Sequence, residues 1–110
     1  MSIVGRGTLV SGDGFEGRLV RADDVDAVLD LLGQDLGEAV LLTDQASATA
    51  VAPLLTSLAG VVCTQGGHTA HLAIVSRALG LPCLMGAIFE AEAQPGARVR
   101  VTDDGAVHSG

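Results

Sequence analysis

The sequence predicts a single, compact, mixed α/β domain that covers residues 1–110. Short β-prone segments alternate with helix-forming segments through the middle of the chain, and further β-prone segments flank them at both ends. The length of 110 residues is sufficient for one hydrophobic core and too short for two domains. No repeat or low-complexity stretch divides the sequence.

The first segment is punctuated by glycine, which favours short strands joined by turns. Five glycines divide this segment into short pieces that include the β-prone residues 8–10 and 18–21: Gly5, Gly7, Gly12, Gly14 and Gly17. Turn residues between short β-prone runs are typical of a strand–turn–strand unit. We therefore predict a glycine-rich β-hairpin at the start of the domain.

Residues 12–17 also match the GxGxxG pattern of dinucleotide-binding proteins. That pattern binds a pyrophosphate only where it joins a strand to the N-terminus of a helix. Here a strand-like segment follows, and the carboxylates of Asp13 and Glu16 would repel phosphate. We interpret the match as accidental.

A helix is predicted next, capped by Asp23 or Asp24 and ending near Gly33. Its expected apolar face consists of Val25, Val28, Leu29 and Leu32. Four carboxylates cluster on the same segment: Asp23, Asp24, Asp26 and Asp30. We interpret them as a cap, favourable charges at the helix N-terminus and a solvated face, rather than as an acid/base pair.

The remaining elements continue the alternation. In chain order we predict a buried strand at 40–42, a helix at 46–58 that Pro53 kinks or restarts, a strand at 61–62, a helix at 69–79 and a strand at 83–85. The chain then ends in a predicted hairpin, with strands at 98–102 and 106–108 around Asp103-Asp104-Gly105.

Composition and charge exclude several classes of function. A net charge of −7 argues against nucleic acid or an anionic membrane surface as a partner. No run approaches the ~20 apolar residues that a membrane span requires. The first residues lack a basic segment followed by an apolar one, so no secretory signal is predicted and we expect a cytoplasmic protein.

The most informative segment is centred on His71. An apolar run at 60–63 leads into Gly66-Gly67, and a helix-forming segment begins almost at the imidazole. Backbone N–H groups at a helix N-terminus, together with the positive end of the helix dipole, form an anion site. A histidine beside such a site has the chemistry to carry a phosphoryl group.

This segment resembles the phosphohistidine (mobile, swivelling) domain of the PEP-utilising enzymes, a family that includes pyruvate phosphate dikinase, PEP synthase, enzyme I and the rifampicin phosphotransferases. The residues that match the family pattern at the right spacing are Gly66, Gly67, Thr69, His71, Ala73, Ile74, Val75, Arg77, Gly80 and Pro82. So many matches over this length make a specific signal. The resemblance implies a swivelling β/β/α fold.

The resemblance also implies roles for individual residues. His71 is the expected phosphorylated residue, attacking through Nε2 and leaving Nδ1–H for an internal hydrogen bond. Gly66, Gly67 and Thr69 are the expected phosphate-binding residues, with a positive φ or close phosphate approach at Gly67 and a capping or phosphate-donating hydroxyl at Thr69. Arg77 lies on a different helical face from His71, which favours a structural or docking role.

The expected function is that of a phosphoryl carrier in a PEP/ATP-dependent phosphotransferase. The relatives hold nucleotide-binding (ATP-grasp-like) and PEP/pyruvate-binding domains, and neither fits in 110 residues. We therefore expect these activities on partner subunits in trans, unless the chain is a part of a longer enzyme that carries them. We predict no cofactor in this domain and expect Mg²⁺ on the partner subunits.

Two other functions are left open. Gln65 stands where a basic residue is common and Ala70 where a Ser, Thr or Cys is usual, which favours a binding or interaction module that kept the fold and lost phosphorylation. A zinc module would use the remaining Cys and His residues of the segment: Cys63, His68, His71 and Cys83. Their spacing matches no common zinc site, so we predict no metal and interpret both cysteines as core residues.

Overall fold

Seven strands form the frame of the domain in the computed structural model, which describes residues 2–109. The strands are β1 (Ser2–Ser11), β2 (Phe15–Arg21), β3 (Ala39–Thr43), β4 (Gly60–Cys63), β5 (Cys83–Phe89), β6 (Arg98–Val101) and β7 (Ala106–Ser109). The helices are α1 (Val25–Leu32) and α2 (His71–Leu79), with a 3-10 helix at Ala52–Ser57. The predicted α/β class is confirmed; Met1 and Gly110 of the predicted domain lie outside the described residues.

The sheet closes on itself in the order β1-β5-β4-β3-β2-β6-β7, and β7 pairs with β1. Strands β2 to β5 run parallel to one another, because α1, the 3-10 helix and α2 provide the crossovers between them. Strands β1, β6 and β7 make the antiparallel part. The chain segments that leave β3 and β4 therefore emerge at the same edge of the sheet.

Two hydrophobic clusters pack on the two faces of this sheet. Val40 and Leu42 point into a cluster that draws residues from all seven strands and fills the interior. Leu41, between them, points outward and packs with residues of α1, the 3-10 helix and α2, including Leu54 and Leu72. Helices thus cover the outer face of the parallel strands, which explains why every residue of β3 and β4 is buried.

Several predictions about the elements are confirmed. Asp24 caps α1 by accepting a hydrogen bond from the N–H of Ala27 at 2.9 Å. The chain ends in the predicted hairpin of β6 and β7, with Gly105 at φ +84° in the turn. Residues 15–21 form strand β2, so the GxGxxG segment runs into a strand and not into a helix.

The prediction of a hairpin between β1 and β2 is wrong. The two strands are consecutive in the chain but do not pair: β1 lies between β5 and β7, and β2 between β3 and β6. The turn after β1 instead crosses to the C-terminal hairpin, where the N–H of Gly14 donates to the carboxylate of Asp103 at 2.6 Å. Glycine-rich turns show where strands end, but they do not determine which strands pair.

Two predictions about helices are confirmed only in part. Val28 lies on the buried face of α1 as predicted, but its buried partner is Leu31, and Val25, Leu29 and Leu32 are exposed. Within the predicted helix at 46–58, only the segment Ala52–Ser57 is helical, as a 3-10 helix; Pro53 lies in its first turn, so the predicted helical start at this proline is confirmed and the long helix is wrong. No helix within residues 2–109 combines the length and apolar character needed to cross a membrane.

Candidate functional site

The candidate site lies where two segments leave neighbouring parallel strands. Strands β3 and β4 pair in register at Thr43 and Cys63. We call residues 44–51, which follow β3, the first loop, and residues 64–70, which follow β4, the glycine turn. Helix α2 begins with His71 directly after the glycine turn, and the first loop reaches the same histidine.

The two glycines of the glycine turn have different structural roles. Gly66 adopts φ +74°, and a Cβ there would lie 2.9 Å from the Cβ of Ala70 and 3.0 Å from the Cε of Met85. Gly67 has no positive φ, and a Cβ there would meet open space. The expected positive φ thus occurs at Gly66 and not at Gly67, whereas the space expected for close phosphate approach lies at Gly67.

The start of α2 differs from the prediction by two residues. Ala70 is the N-cap residue, with extended backbone and no side-chain cap, so Thr69 does not cap the helix and its side chain is exposed. Within residues 2–109, the N–H groups of Gly67, His68, Thr69 and His71 have no hydrogen-bond acceptor. These groups are the donors that an anion would use.

One amide at the start of α2 is already occupied. The N–H of Leu72 donates to the carbonyl oxygen of Ala46 in the first loop at 2.9 Å. This bond fastens the first loop to the helix N-terminus. It also removes one donor from the set that the sequence led us to expect.

The first loop contacts the imidazole of His71 directly. His71 is exposed, and its Nδ1 accepts a hydrogen bond from the backbone N–H of Ala48 at 3.2 Å. An accepting ring nitrogen carries no proton, so the expected Nδ1–H donor is not present in this arrangement. Nε2 is the ring nitrogen left without a protein partner among the described residues.

An acidic residue that the sequence had suggested only as a helix cap anchors the first loop. The carboxylate of Asp23 accepts hydrogen bonds from the N–H of Asp44 and from Nε of Arg21, both at 2.8 Å. Burial opposes the charged form of Asp23, but these bonds and the Arg21 charge outweigh it and hold the pKa below the ordinary value. Asp23 therefore connects β2 to the loop that contacts His71.

Arg77 braces the glycine turn from α2. Its guanidinium donates to the backbone carbonyl of His68. The side chain is exposed and occupies the last turn of α2, where a positive charge is favourable. Its partner is thus the backbone of the turn that precedes His71.

The residues considered for zinc do not form a ligand set. Cys63 and Cys83 are both buried free thiols, as expected of core residues, whereas His68 and His71 are exposed. Burial raises the pKa of Cys63 and raises that of Cys83 to about 11. Among residues 2–109, no three His, Cys, Asp or Glu side chains lie close enough together to hold a metal ion.

Solved structures with similar folds were found. A chain of aconitase X from Thermococcus kodakaraensis, in its holo form, superposes with a TM-score of 0.64 at 14% identity, covering 96% of both chains. A UPF0107 protein solved by NMR in solution gives a TM-score of 0.64 at 12% identity, covering 96% of this chain and 98% of the other. At these identities the two structures show the fold alone.

A third structure is more similar in sequence. It is described as the N-terminal domain of Enzyme 1 - Nitrogen, and it matches with a TM-score of 0.54 and 33% identity over 66% of this chain. The chain spans 32% of the length of that structure. A search of curated proteins found no match.

The comparison with protein families identifies the segment that contains the site. Residues 36–106 match the family described as PEP-utilising enzyme, mobile domain. The matched segment runs from before β3 to β7 and includes the first loop, the glycine turn and α2. The chain therefore belongs to the family of PEP-utilising enzyme mobile domains.

Proposed function

We propose that this chain is the phosphoryl-carrier component of a PEP/ATP-dependent phosphotransferase and is transiently phosphorylated on His71. The observation that carries the proposal is the exposed imidazole of His71 at the start of α2, directly after the glycine turn and within the family-matched segment. A phosphoryl carrier needs only a nucleophile and an anion-binding site of its own, whereas a complete enzyme also needs donor and acceptor sites.

The chemistry divides one transfer into two steps. In the first, the ring proton lies on Nδ1 and the lone pair on Nε2 attacks the phosphorus of the donor in line. The N–P bond forms, the bond from phosphorus to the donor oxygen breaks with its electrons leaving on the donor, and the Nδ1 proton is then released to solvent. In the second, a proton returns to Nδ1, an acceptor oxygen attacks the phosphorus, and the N–P bond breaks with its electron pair on Nε2, which returns the neutral imidazole.

The phosphate would be held mainly by backbone groups. The N–H groups of Gly67, Thr69 and His71 are without a protein acceptor within residues 2–109, and the open space at Gly67 allows close approach. Gly66 supports this arrangement through its positive φ, and Arg77 supports it by bracing the turn at His68. The Thr69 hydroxyl is exposed and adds a side-chain donor.

The donor and acceptor sites belong to partner subunits in this proposal. A nucleotide-binding, ATP-grasp-like subunit and a PEP/pyruvate-binding subunit would each receive the domain in turn, as a swivelling unit, in the cytoplasm. Mg²⁺ would act on those subunits, since phosphoryl transfer requires neutralisation of charge on the phosphates. Neither nucleic acid nor a membrane is proposed as a partner.

Partner-dependent labelling tests the proposal. The purified chain is incubated with extract of its source organism and either [³²P]PEP or [³²P]ATP carrying label at the β or γ position. We expect an acid-labile, base-stable label on wild-type chain and on H68A, and none on H71A. Label that maps to His68 or survives in H71A would overturn the assignment.

A second arm tests the need for partners. The chain alone, supplied with ATP or PEP and Mg²⁺, is expected to show neither labelling nor turnover. Steady turnover by the isolated chain would contradict the carrier model. Absence of label in every extract would favour the alternative, a binding module without phosphorylation, which Ala70 favours because its methyl group replaces a possible hydroxyl donor beside His71.

A further inference from the structure

The hydrogen bond from Ala48 to His71 is fixed by its surroundings. Ala48 and Val51 of the first loop are buried, and the carbonyl of Ala46 accepts from the N–H of Leu72. At the other end of the loop, the N–H of Asp44 is held by Asp23. The Ala48 N–H is therefore directed at Nδ1 by a loop that is held before it, at Asp44 and Ala46, and after it, at the buried Val51.

This hydrogen bond determines the tautomer of the free ring. A neutral imidazole has one N–H and one nitrogen with an available lone pair. Because Nδ1 accepts from Ala48, the proton lies on Nε2, whose lone pair then belongs to the aromatic system. In this arrangement Nε2 is not ready to attack a phosphorus atom.

The same hydrogen bond suits the ring after phosphorylation. With the phosphoryl group on Nε2 and no proton on the ring, Nδ1 retains its lone pair and can accept from Ala48. We infer that the backbone N–H of Ala48 is a positioning group for phosphohistidine 71, which keeps Nδ1 unprotonated and so protects the phosphoryl group from water in transit. This inference rests on the proposed function.

The protection follows from how phosphohistidine is hydrolysed. A proton adds to Nδ1, the N–P bond breaks with its electron pair remaining on Nε2, and the ring leaves as neutral imidazole with the proton on Nδ1. Water supplies the new P–O bond and loses a proton, which gives inorganic phosphate. An N–H group already directed at Nδ1 opposes the first step, because two donors would then face each other.

Protection matters here because the site is open. His71 is exposed, so water reaches a phosphoryl group on Nε2 until the domain docks. Productive transfer also requires the proton on Nδ1, both to free the Nε2 lone pair for attack and to improve the leaving group. The ring must therefore move away from Ala48 during transfer at either partner and return between transfers.

The test removes this N–H and little else. Ala48 is replaced by lactic acid in the full chain, which changes the amide to an ester and keeps the methyl side chain. The matched control carries lactic acid in place of Ala50, whose N–H makes no hydrogen bond within residues 2–109. All proteins carry H68A and H108Q, which leave His71 as the one histidine of the sequence. They are phosphorylated with potassium phosphoramidate, so no partner subunit is needed.

The readout is the decay of the ³¹P signal of phosphohistidine 71 at neutral pH. We expect decay about five-fold faster in the Ala48 ester than in the Ala50 ester, the effect of losing one ordinary hydrogen bond. The Ala50 ester should match the parent protein. Equal lifetimes in the two esters would overturn the inference.

A second measurement uses the unmodified protein and does not depend on the esters folding. ¹⁵N spectra of the imidazole report which nitrogen carries the proton. We expect the Nε2–H tautomer for neutral His71, and finding Nδ1–H would overturn the inference. Failure of partner-dependent labelling would refute the proposed function but leave these two results unchanged, so the two failures are distinguishable.

Discussion

The first loop and the glycine turn meet at His71 and hold it by different means. The glycine turn offers open space at Gly67 and backbone N–H groups that have no acceptor among residues 2–109. The first loop offers a completed hydrogen bond to the ring from Ala48 and accepts another at Ala46. One segment is arranged to receive an anion, and the other holds the imidazole ring through Nδ1.

The difference shows that space and orientation come from separate parts of the chain. The conformation of the glycine turn depends on nearby residues, since Gly66 provides the positive φ and Arg77 braces the turn from the adjacent helix. The first loop depends on a distant residue, Asp23, two residues after the end of β2. Substitutions in the two regions should therefore affect stability and labelling differently.

The largest effect is expected within the glycine turn, between its two glycines. G66A places a Cβ in a left-handed conformation and against Ala70 and Met85, so we expect it to lower the free energy of unfolding by about 2–4 kcal/mol. G67A should change it by less than about 0.5 kcal/mol. Chemical denaturation of both variants measures the difference.

Substitutions at Gly66 and Gly67 also distinguish a role in stability from a role in phosphate binding. G67V should leave the fold intact and slow partner-dependent phosphorylation, because its side chain fills the space through which phosphate approaches. An unchanged labelling rate in G67V would show that the turn is only structural. Equal stability of G66A and G67A would contradict the assignment of the positive φ.

Much of the fold was predictable because local signals agreed with the final contacts. The Asp24 cap, the β6–β7 hairpin and the buried strands around 40–42 and 61–62 each follow from nearby residues. The pairing of β1 and the buried face of α1 were not predictable in this way. Both depend on closure of the sheet and on which side of the helix the sheet lies.

The candidate site likewise combines residues that the sequence identifies with contacts that it does not. Gly66, Gly67 and His71 are recognised by residue type, whereas Ala48 acts through its backbone and has no side-chain signal. The helix predicted across the first loop conceals it further, since the polar backbone groups of Ala46 and Ala48 bond to Leu72 and His71 instead of within a helix. The distance in sequence between the first loop and α2 gives no indication of these contacts.

An intermediate effect is expected where the first loop is anchored. D23A removes the acceptor for the N–H of Asp44 and should destabilise the chain by about 1 kcal/mol, because the bond is charged but partly exposed to solvent. D30A is the matched control, since its carboxylate makes no hydrogen bond within residues 2–109. Denaturation at pH 7 compares the two.

The pH dependence gives an independent measure of the same anchor. The pKa of Asp23 is lowered in the folded chain, so its stabilising contribution is complete above about pH 4 and is lost as the pH falls through the lowered value. The difference in stability between wild type and D23A should therefore shrink in acid. A difference that stays constant down to pH 2 would show that the carboxylate charge has no part in it.

The smallest effect is expected at Arg77, which braces the glycine turn from outside. R77M keeps much of the apolar stem and removes the donor to the carbonyl of His68, so we expect a loss of about 0.5 kcal/mol and a less than threefold change in labelling. R77K keeps the charge at the end of α2 but not the planar donor group.

Two reactions distinguish the possible roles of Arg77. If Arg77 acts on the turn, each variant should lose the same factor in its rate of phosphoramidate loading as in its rate of partner-dependent labelling. If it instead docks a partner, phosphoramidate loading will match wild type while partner-dependent labelling falls. That second result would show that Arg77 belongs to the surface that partners recognise and does not act by supporting the turn.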